Sequence, residues 1–441
     1  MTWTYFPELL AKPVPRYTSY PTAAEFHDGV GADDMAEALD SVGPDDAVSL
    51  YLHIPYCREI CWYCGCNTGA ANRAKRLESY LDRLEDELAL VAARLGGRGR
   101  IGRIAFGGGS PNAIDPERFD RLVAALGAGF DIGDAVLSVE VDPRGFAEDW
   151  AKAMGRNRVS RVSLGVQTFA AHIQAAIGRV QPLADIERTV ALLRAAGVSS
   201  INFDLMYGLP QQTERDLAET IDQSVRLGAD RLSVFGYAHV PHLIPRQRRI
   251  DGSSLPDAEA RFAMAAMAHA RFTAAGYEAV GFDHFALPDD ALAVAARDGT
   301  LRRNFQGFTE DPADILIGLG ATAISAFPDR LLQNEKNNGR YSLLVGAGRF
   351  ATARGLRRSR IDQVHGAAIE ALLTRGHAAL PATIEPGVMA DRLRPFVDHG
   401  LARLVGSTLI LTDDALPYAR SIAACLDTYR APDERRFSNA I

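Results

Sequence analysis

From about residue 47 to about residue 285, short apolar runs alternate with stretches of helical pattern. Six runs carry the composition of strands: AVSLYLHI (47–54), RIAFGG (103–108), VLSVEVD (136–142), RVSLGV (161–166), SINFDLMYG (200–208) and RLSVFGYA (231–238). Each is rich in β-branched, aliphatic or aromatic residues and is followed by Gly, Pro or polar breakers. Between them, segments such as RLESYLDRLEDELALVAARL (76–95) repeat apolar residues three and four apart, the period of an amphipathic helix. Strand–helix alternation repeated six times predicts an α/β fold, a parallel sheet of βαβ units wound as a partial (βα)6 barrel. An open doubly wound sheet is the alternative.

The flanks differ. Residues 1–46 read as an N-terminal arm with one helix near 32–39. From residue 360 the pattern turns to helices, QVHGAAIEALLTRG and DDALPYARSIAACLDTYR, around a short strand in LARLVGSTLILT. The expected division is an arm (1–46), a barrel domain with an extension (47–359) and a small, mainly helical C-terminal domain (360–441). The longest apolar stretch, 315–327, is too short and too broken by Gly, Thr and Ser to span a bilayer. The N-terminus lacks a basic start followed by an apolar run. A cytoplasmic protein without a membrane span is expected.

Composition narrows the class. Of 441 residues, 47% are apolar and 23% charged, the balance of a globular enzyme rather than a coiled coil, collagen or disordered chain. Basic residues number 48 against 55 acidic ones, a net charge of −7, so no nucleic-acid partner is implied. Any anionic ligand must be held by a few local arginines.

Four of the five cysteines, Cys57, Cys61, Cys64 and Cys66, lie within ten residues; Cys425 stands apart. Such clustering points to a metal or redox site rather than a disulfide framework. Three thiols in one loop suit an iron–sulfur cluster, whose irons take thiolate ligands. Structural zinc normally pairs two short-spaced couples across a longer stretch, and no second couple is present. Zinc and a structural thiol knot stand as alternatives.

The barrel pattern gives the other polar residues a common place, because ligands bind at the carboxyl ends of parallel barrel strands. The cysteine loop follows the first strand and Gly107-Gly108-Gly109-Ser110 the second. Glu140 and Asp142 end the third, Gln167 the fourth, Asp204 lies near the end of the fifth, and Tyr237-Ala238-His239 closes the sixth. Consecutive glycines let backbone amides approach a ligand, although a plain tight turn reads equally well. Glu140 and Asp204 interrupt apolar strands, where an unpaired carboxylate is costly; a structural salt bridge and a ligand contact are the two readings. Gly318-Leu-Gly320-Ala-Thr-Ala323 imitates a dinucleotide fingerprint, but no βαβ unit follows it, and tight backbone packing is expected. His53 reads as a core histidine or as a donor to a cluster sulfur. No Ser/His/Asp arrangement of credible spacing occurs.

Cys57-x3-Cys61-x2-Cys64 resembles the signature of the radical S-adenosylmethionine (SAM) enzymes. YLHIPYCREICWYCGC (51–66), with PRYTSYPTA (15–23) and NFQGF (304–308), is similar to the oxygen-independent coproporphyrinogen III oxidases of haem biosynthesis. GGGSP, SVEVDPR, SLGVQTF, FDLMYGLP, RLSVFGYAHVP and the terminal FSNAI extend the resemblance over the whole chain; Ser110 departs from it, standing where threonine often follows the glycines. The resemblance implies that Cys57, Cys61 and Cys64 hold three irons of a 4Fe–4S cluster, with the fourth iron open to SAM. It implies two SAM molecules. Tyr51, Gly108, Glu140 and Ile324 are assigned to the cluster-bound one; Tyr63, Gly109, Ser110, Gln167, Arg179, Asp204 and Ala238 are assigned to its neighbour.

Cys66 is typical of the oxidase, whereas a related haem chaperone carries an aromatic residue there. The implied reaction is oxidative decarboxylation of two propionates of coproporphyrinogen III to vinyl groups, giving protoporphyrinogen IX, through a 5′-deoxyadenosyl radical. No protein acid–base pair is implied. An electron donor such as flavodoxin or ferredoxin, an electron acceptor and a monomeric state follow from the same resemblance. Arg16, Arg302 and Arg303 adjoin PRYTSYP and NFQGF and are candidates for the propionates. A haem chaperone and a haem-modifying radical SAM protein are the alternatives.

Overall fold

The computed structural model describes residues 3–71 and 74–430; the FSNAI segment lies outside the described residues. All six expected strands form: β1 (Ala47–Ile54), β2 (Arg100–Gly108), β3 (Val136–Val141), β4 (Val159–Gln167), β5 (Ser200–Tyr207) and β6 (Arg231–Gly236). Each pairs in parallel with the next in sequence. A doubly wound sheet reverses its strand order at a switch point. Across these six strands the order never reverses, so they wind one way, as a partial barrel.

Strand periodicity sets the character of the interior. Along β5, half-buried Ser200, Asn202, Asp204 and Met206 alternate with buried Ile201, Phe203, Leu205 and Tyr207. Successive side chains point to opposite faces of a sheet, so the apolar set packs outward and the polar set lines the inside. Ser138 and Glu140 of β3 and Arg161, Ser163 and Gly165 of β4 follow the same alternation. A closed barrel usually fills its centre with branched apolar side chains; this one encloses a polar cavity. Its amino end is closed by Arg103 (2.8 Å), Arg161 and Arg231 (3.3 Å), which converge on Glu310. Arg231 also pairs with Asp290 at 2.7 Å.

Helix α1 (Ala32–Asp40) lies in the arm, one residue longer than expected. The barrel helices include α2 (Ala74–Leu95), α3 (Pro116–Gly129), α4 (Glu148–Arg156), α5 (Leu183–Ala195), α6 (Glu214–Arg226) and α7 (Ala258–Ala274). In α2 the buried residues Leu77, Tyr80, Leu81, Leu84, Leu88, Val91 and Leu95 fall three and four apart, the inward stripe of an amphipathic helix.

Both sheet edges are extended. β7 (Glu278–Val280) and β8 (His284–Ala286) add antiparallel strands beside β6. At the other edge β9 (Ile315–Leu319) runs parallel to β1, followed by antiparallel β10 (Ile324–Phe327), β11 (Arg330–Asn334) and β12 (Thr352–Arg357). The longest apolar run of the sequence therefore supplies a seventh parallel strand, β9, buried along its length, and then turns into antiparallel β10. The glycines of the false fingerprint serve close packing: a Cβ on Gly318 would sit 2.5 Å from the Ile324 carbonyl oxygen. One on Gly320 would sit 2.5 Å from the Tyr80 hydroxyl.

The C-terminal segment holds α8 (Arg360–Arg375) and α9 (Pro386–Asp398) with a small antiparallel sheet, β13 (His377–Ala379), β14 (Ala402–Val405) and β15 (Thr408–Leu411). LARLVGSTLILT is thus a hairpin, not one strand. Gly406, at φ +60°, opens the two-residue turn that reverses the chain. The arm bonds to this segment: the Tyr17 hydroxyl donates to Asp427 (3.0 Å), and the Phe6 N–H donates to the Tyr418 hydroxyl (2.9 Å). Among the described residues no helix is long and apolar enough to cross a membrane.

Candidate active site

A cleft of about 1400 Å³ opens at the carboxyl ends of the strands. Its walls contain Cys57, Cys61, Cys64 and Cys66 from the loop after β1, Gly108, Gly109 and Ser110 after β2, and Glu140 and Asp142 from β3. Gln167, Arg179, Asp204, Ala238 and Tyr63 complete the gathering. Twelve of the fourteen residues singled out for cluster and SAM therefore meet in one place.

Tyr51 and Ile324 are the two outside this lining. They are nonetheless related: Tyr51 lies opposite Gly318 across β1 and β9, and Gly318 lies against Ile324 of β10. The Tyr51 hydroxyl meets His53 Nδ1 at 3.1 Å. His53 Nε2 is buried without a partner among the described residues, and burial pushes the imidazole down to about 4, so the ring is neutral.

The cysteine loop is clamped on both sides. The Trp62 N–H donates to the Ile177 carbonyl at 3.0 Å, and the Trp62 ring occupies the space a Cβ on Gly178 would take. Gln247 donates to the Tyr63 carbonyl at 2.9 Å, and Arg246 to Thr68 Oγ1 at 3.1 Å. All four thiols are free of disulfides. Among the described residues no Cys, His, Asp or Glu side chains are gathered as ligands to a single ion.

Hydrogen bonds and charge favour anionic sulfur at Cys64, and two guanidinium groups reach Cys61. Arg179 lies 3.2 Å and Arg144 3.3 Å from Cys61 Sγ. Hydrogen bonding from Cys66 pulls Cys64 below the ordinary thiol range, against the cost of its burial, and Arg246 and Arg179 add to the effect. Burial pushes Cys57 up to about 11, with Ser110 Oγ 3.7 Å from its sulfur; a coordinating metal deprotonates such a thiol outright.

The glycine run is packed at every position. A Cβ on Gly107 would come within 2.6 Å of the Glu140 carboxylate, one on Gly108 within 2.5 Å of the His53 ring, and one on Gly109 into the Tyr56 carbonyl. Gly108, at φ +110°, donates its N–H to Glu140 at 3.0 Å. At Gly108 and Gly109 backbone atoms line the cleft, and the packing leaves no room for a side chain.

The two strand carboxylates differ from Asp142. Although burial raises it, Asp142 is held below the usual range by Arg179 at 3.2 Å and Arg144 at 2.6 Å. Glu140 and Asp204 make no ion pair among the described residues. Desolvation pushes Glu140 up to about 7 and raises Asp204, which accepts bonds from Ser163 (2.8 Å) and Asn202 (2.9 Å). The salt-bridge reading of both residues is overturned. They are half-buried, cleft-facing carboxylates without an ion pair among the described residues.

The arginine candidates separate. Arg302 is held by Glu370 (2.9 Å) and Asp314 (2.8 Å), away from the cleft. Arg16 lies in the cleft wall over the Phe235 ring at 4.8 Å, and Arg303 donates to the Arg16 carbonyl at 3.0 Å.

A one-way partial barrel with a three-cysteine loop after its first strand defines a class. The model of the radical SAM superfamily matches residues 51–223, and this chain is an enzyme of that class. An oxygen-independent coproporphyrinogen III oxidase of Bradyrhizobium diazoefficiens is 42% identical over 437 residues, covering 97% of both chains. One from Pseudomonas aeruginosa is 38% identical, covering 97% of this chain and 96% of its own. The solved coproporphyrinogen III oxidase of Escherichia coli superposes with a TM-score of 0.89 at 34% identity, over 98% of this chain and 100% of its own. The chain belongs to the oxygen-independent coproporphyrinogen III oxidase family.

Proposed function

We propose that this enzyme oxidatively decarboxylates two propionate side chains of coproporphyrinogen III to vinyl groups, giving protoporphyrinogen IX. The observation that carries the proposal is the convergence on one cleft of three free thiols, a tightly packed glycine run and two carboxylates without an ion pair among the described residues. The donor set fits a 4Fe–4S cluster on Cys57, Cys61 and Cys64. The unpaired carboxylates fit SAM, which brings an ammonium group and ribose hydroxyls. When bound, cluster and SAM together supply a one-electron reductive cleavage whose radical product removes a hydrogen atom.

The chain's own residues bind and orient. Arg179 and Arg144 stabilise negative charge at Cys61, and Trp62 and Gln247 fix the loop that presents the thiols. Glu140, fixed by the Gly108 N–H, is positioned to accept from the ammonium of a cluster-bound SAM, with Gly108, Tyr51 and Ile324 at its margins. Gln167, Arg179, Asp204, Ser110, Gly109, Ala238 and Tyr63 are assigned to a second SAM. Cys66, exposed and bonded through its N–H to Cys64 Sγ at 3.4 Å, supports a ligand without being one. No side chain transfers a proton in the central step, and none is assigned as catalytic. A flavodoxin- or ferredoxin-type donor and a separate acceptor complete the electron balance. The arm (1–46), barrel (47–359) and C-terminal unit (360–441) are taken as the working domains of a cytoplasmic monomer.

The test is anaerobic reconstitution with iron and sulfide, followed by dithionite, SAM and coproporphyrinogen III, with products read by mass spectrometry. Loss of two carboxyl groups alongside 5′-deoxyadenosine is expected. SAM cleavage with intact coproporphyrinogen would overturn the substrate, and no SAM cleavage by a loaded cluster would overturn the reaction class.

A further inference from the structure

On its side away from the cleft, the cysteine loop forms one wall of an open groove, to which it contributes Asn67, Thr68, Gly69 and Ala70. Thr68 lines the cleft as well, so a single stretch of chain separates the thiols from this outer face. That stretch is exposed at Gly65, Cys66, Asn67 and Ala70. Across the groove stand Lys75 and Arg76, in the first turn of α2, and Lys336, in the turn after β11. Asn67 donates to the Lys336 carbonyl at 3.2 Å and ties the loop to that far wall. On the loop's other flank Arg246 donates to the Cys66 carbonyl at 3.4 Å, and Arg249 lies over the Trp62 ring at 5.2 Å.

These five cations border the loop, and none of them makes an ion pair among the described residues. No carboxylate belongs to the described lining of the groove. The acidic residues adjoining these cations in sequence are turned to other partners. Glu78 lies 3.2 Å from Arg118, Glu335 3.9 Å from Arg340, and Asp251 accepts from the Ser253 hydroxyl at 2.7 Å. Basic side chains in a first helical turn oppose the helix dipole, so helix stability does not account for Lys75 and Arg76. In a chain of net charge −7, a cationic collar around one loop attracts an acidic surface that the rest of the molecule repels.

We infer that this collar is the docking surface for the enzyme's reductant, an acidic protein that carries one electron at a time. The carrier loses one electron, and the group held by Cys57, Cys61 and Cys64 gains it; no bond is made or broken in the transfer. The carrier reaches the loop from the side away from the cleft, where SAM and substrate are assigned. The inference rests on the radical chemistry proposed above and adds the surface that receives its electron. Charge selects the partner, and the exposed loop behind the thiols gives the partner's electron a short way in.

The test uses the reconstituted full-length enzyme and a purified acidic flavodoxin, with Kd read by titration calorimetry over a range of salt concentrations. Lys75→Glu and Lys336→Glu, both at exposed positions, are compared with Lys152→Glu, an equal charge reversal on the outer face of α4. A reversal removes one attraction and adds one repulsion, so each groove variant is expected to bind roughly fivefold to tenfold more weakly at low salt. The difference should shrink as salt screens the charges. Lys152→Glu is expected to bind as the wild type does. Iron content and dithionite-driven SAM cleavage are expected to stay at wild-type levels in all three variants. Wild-type affinity in both groove variants would overturn the inference, as would an equal loss in Lys152→Glu. Tighter binding of a short RNA duplex than of flavodoxin would overturn it too, and so would a wild type that binds neither flavodoxin nor an acidic ferredoxin. Should dithionite fail to drive SAM cleavage in the wild type, the radical chemistry itself fails, and that assay is read separately from the binding.

Discussion

Glu87 offers a sharp test of how the site's frame is built. It sits on the inward face of α2, 2% exposed, and accepts three bonds: from the Gly320 N–H (2.6 Å), the Tyr341 hydroxyl (2.8 Å) and Asn334 (2.7 Å). These tie α2 to the turn between β9 and β10, which leads into Ile324. Burial pushes its carboxyl from 4.5 up to about 7, despite those bonds. The folded state therefore holds a proton more tightly than the unfolded chain. Its stabilising contribution is complete below the unfolded value and is lost as pH rises through the folded one.

At roughly 1.4 kcal/mol per pKa unit, the gap amounts to about 3 kcal/mol in all, of which somewhat more than 2 is lost between about pH 5 and about pH 8. Glu87→Gln keeps the volume and does not titrate. Urea unfolding of wild type and Glu87→Gln across that range isolates the effect, because every other titrating group is common to both. The stability of wild type relative to the variant is expected to fall by that amount as pH rises. A flat difference, or one that rises with pH, would refute the reasoning.

Two further predictions bear on the cleft. Replacing Cys57, Cys61 or Cys64 singly with serine should abolish iron retention and the cluster's visible absorbance. Cys66→Ser, with its thiol exposed, should keep both, and equal loss in all four would make Cys66 a ligand. Gly109→Val drives a side chain into the Tyr56 backbone; overpacking of about 1–3 kcal/mol should lower SAM affinity by about tenfold or more, measured by equilibrium dialysis, with iron content unchanged. Wild-type SAM affinity would show that the glycine run is not a binding surface.

The parts of the fold that sequence conveyed were local. Each of the six strands carries its own apolar run and breaker, and the polar residue at each carboxyl end follows from the run's length. β9 was read only as the longest apolar stretch, since its place beside β1 is a pairing across more than 250 residues with no βα unit to announce it. Glu87 was hidden because it follows Glu85 and Asp86 in a charged helix, where an acidic residue reads as solvent-facing. Conversely, Arg302 had the same sequence credentials as Arg303, and the carboxylates that hold it, Glu370 and Asp314, lie on other elements.

The central claim is that hydrogen is taken from a substrate propionate at this cleft. Coproporphyrinogen III carrying deuterium on the propionate β-carbons, incubated anaerobically with the reconstituted enzyme, SAM and reductant, tests it most directly. Deuterium in the 5′-deoxyadenosine, alongside the divinyl product, is the expected result. Unlabelled 5′-deoxyadenosine accompanying decarboxylation would contradict the account.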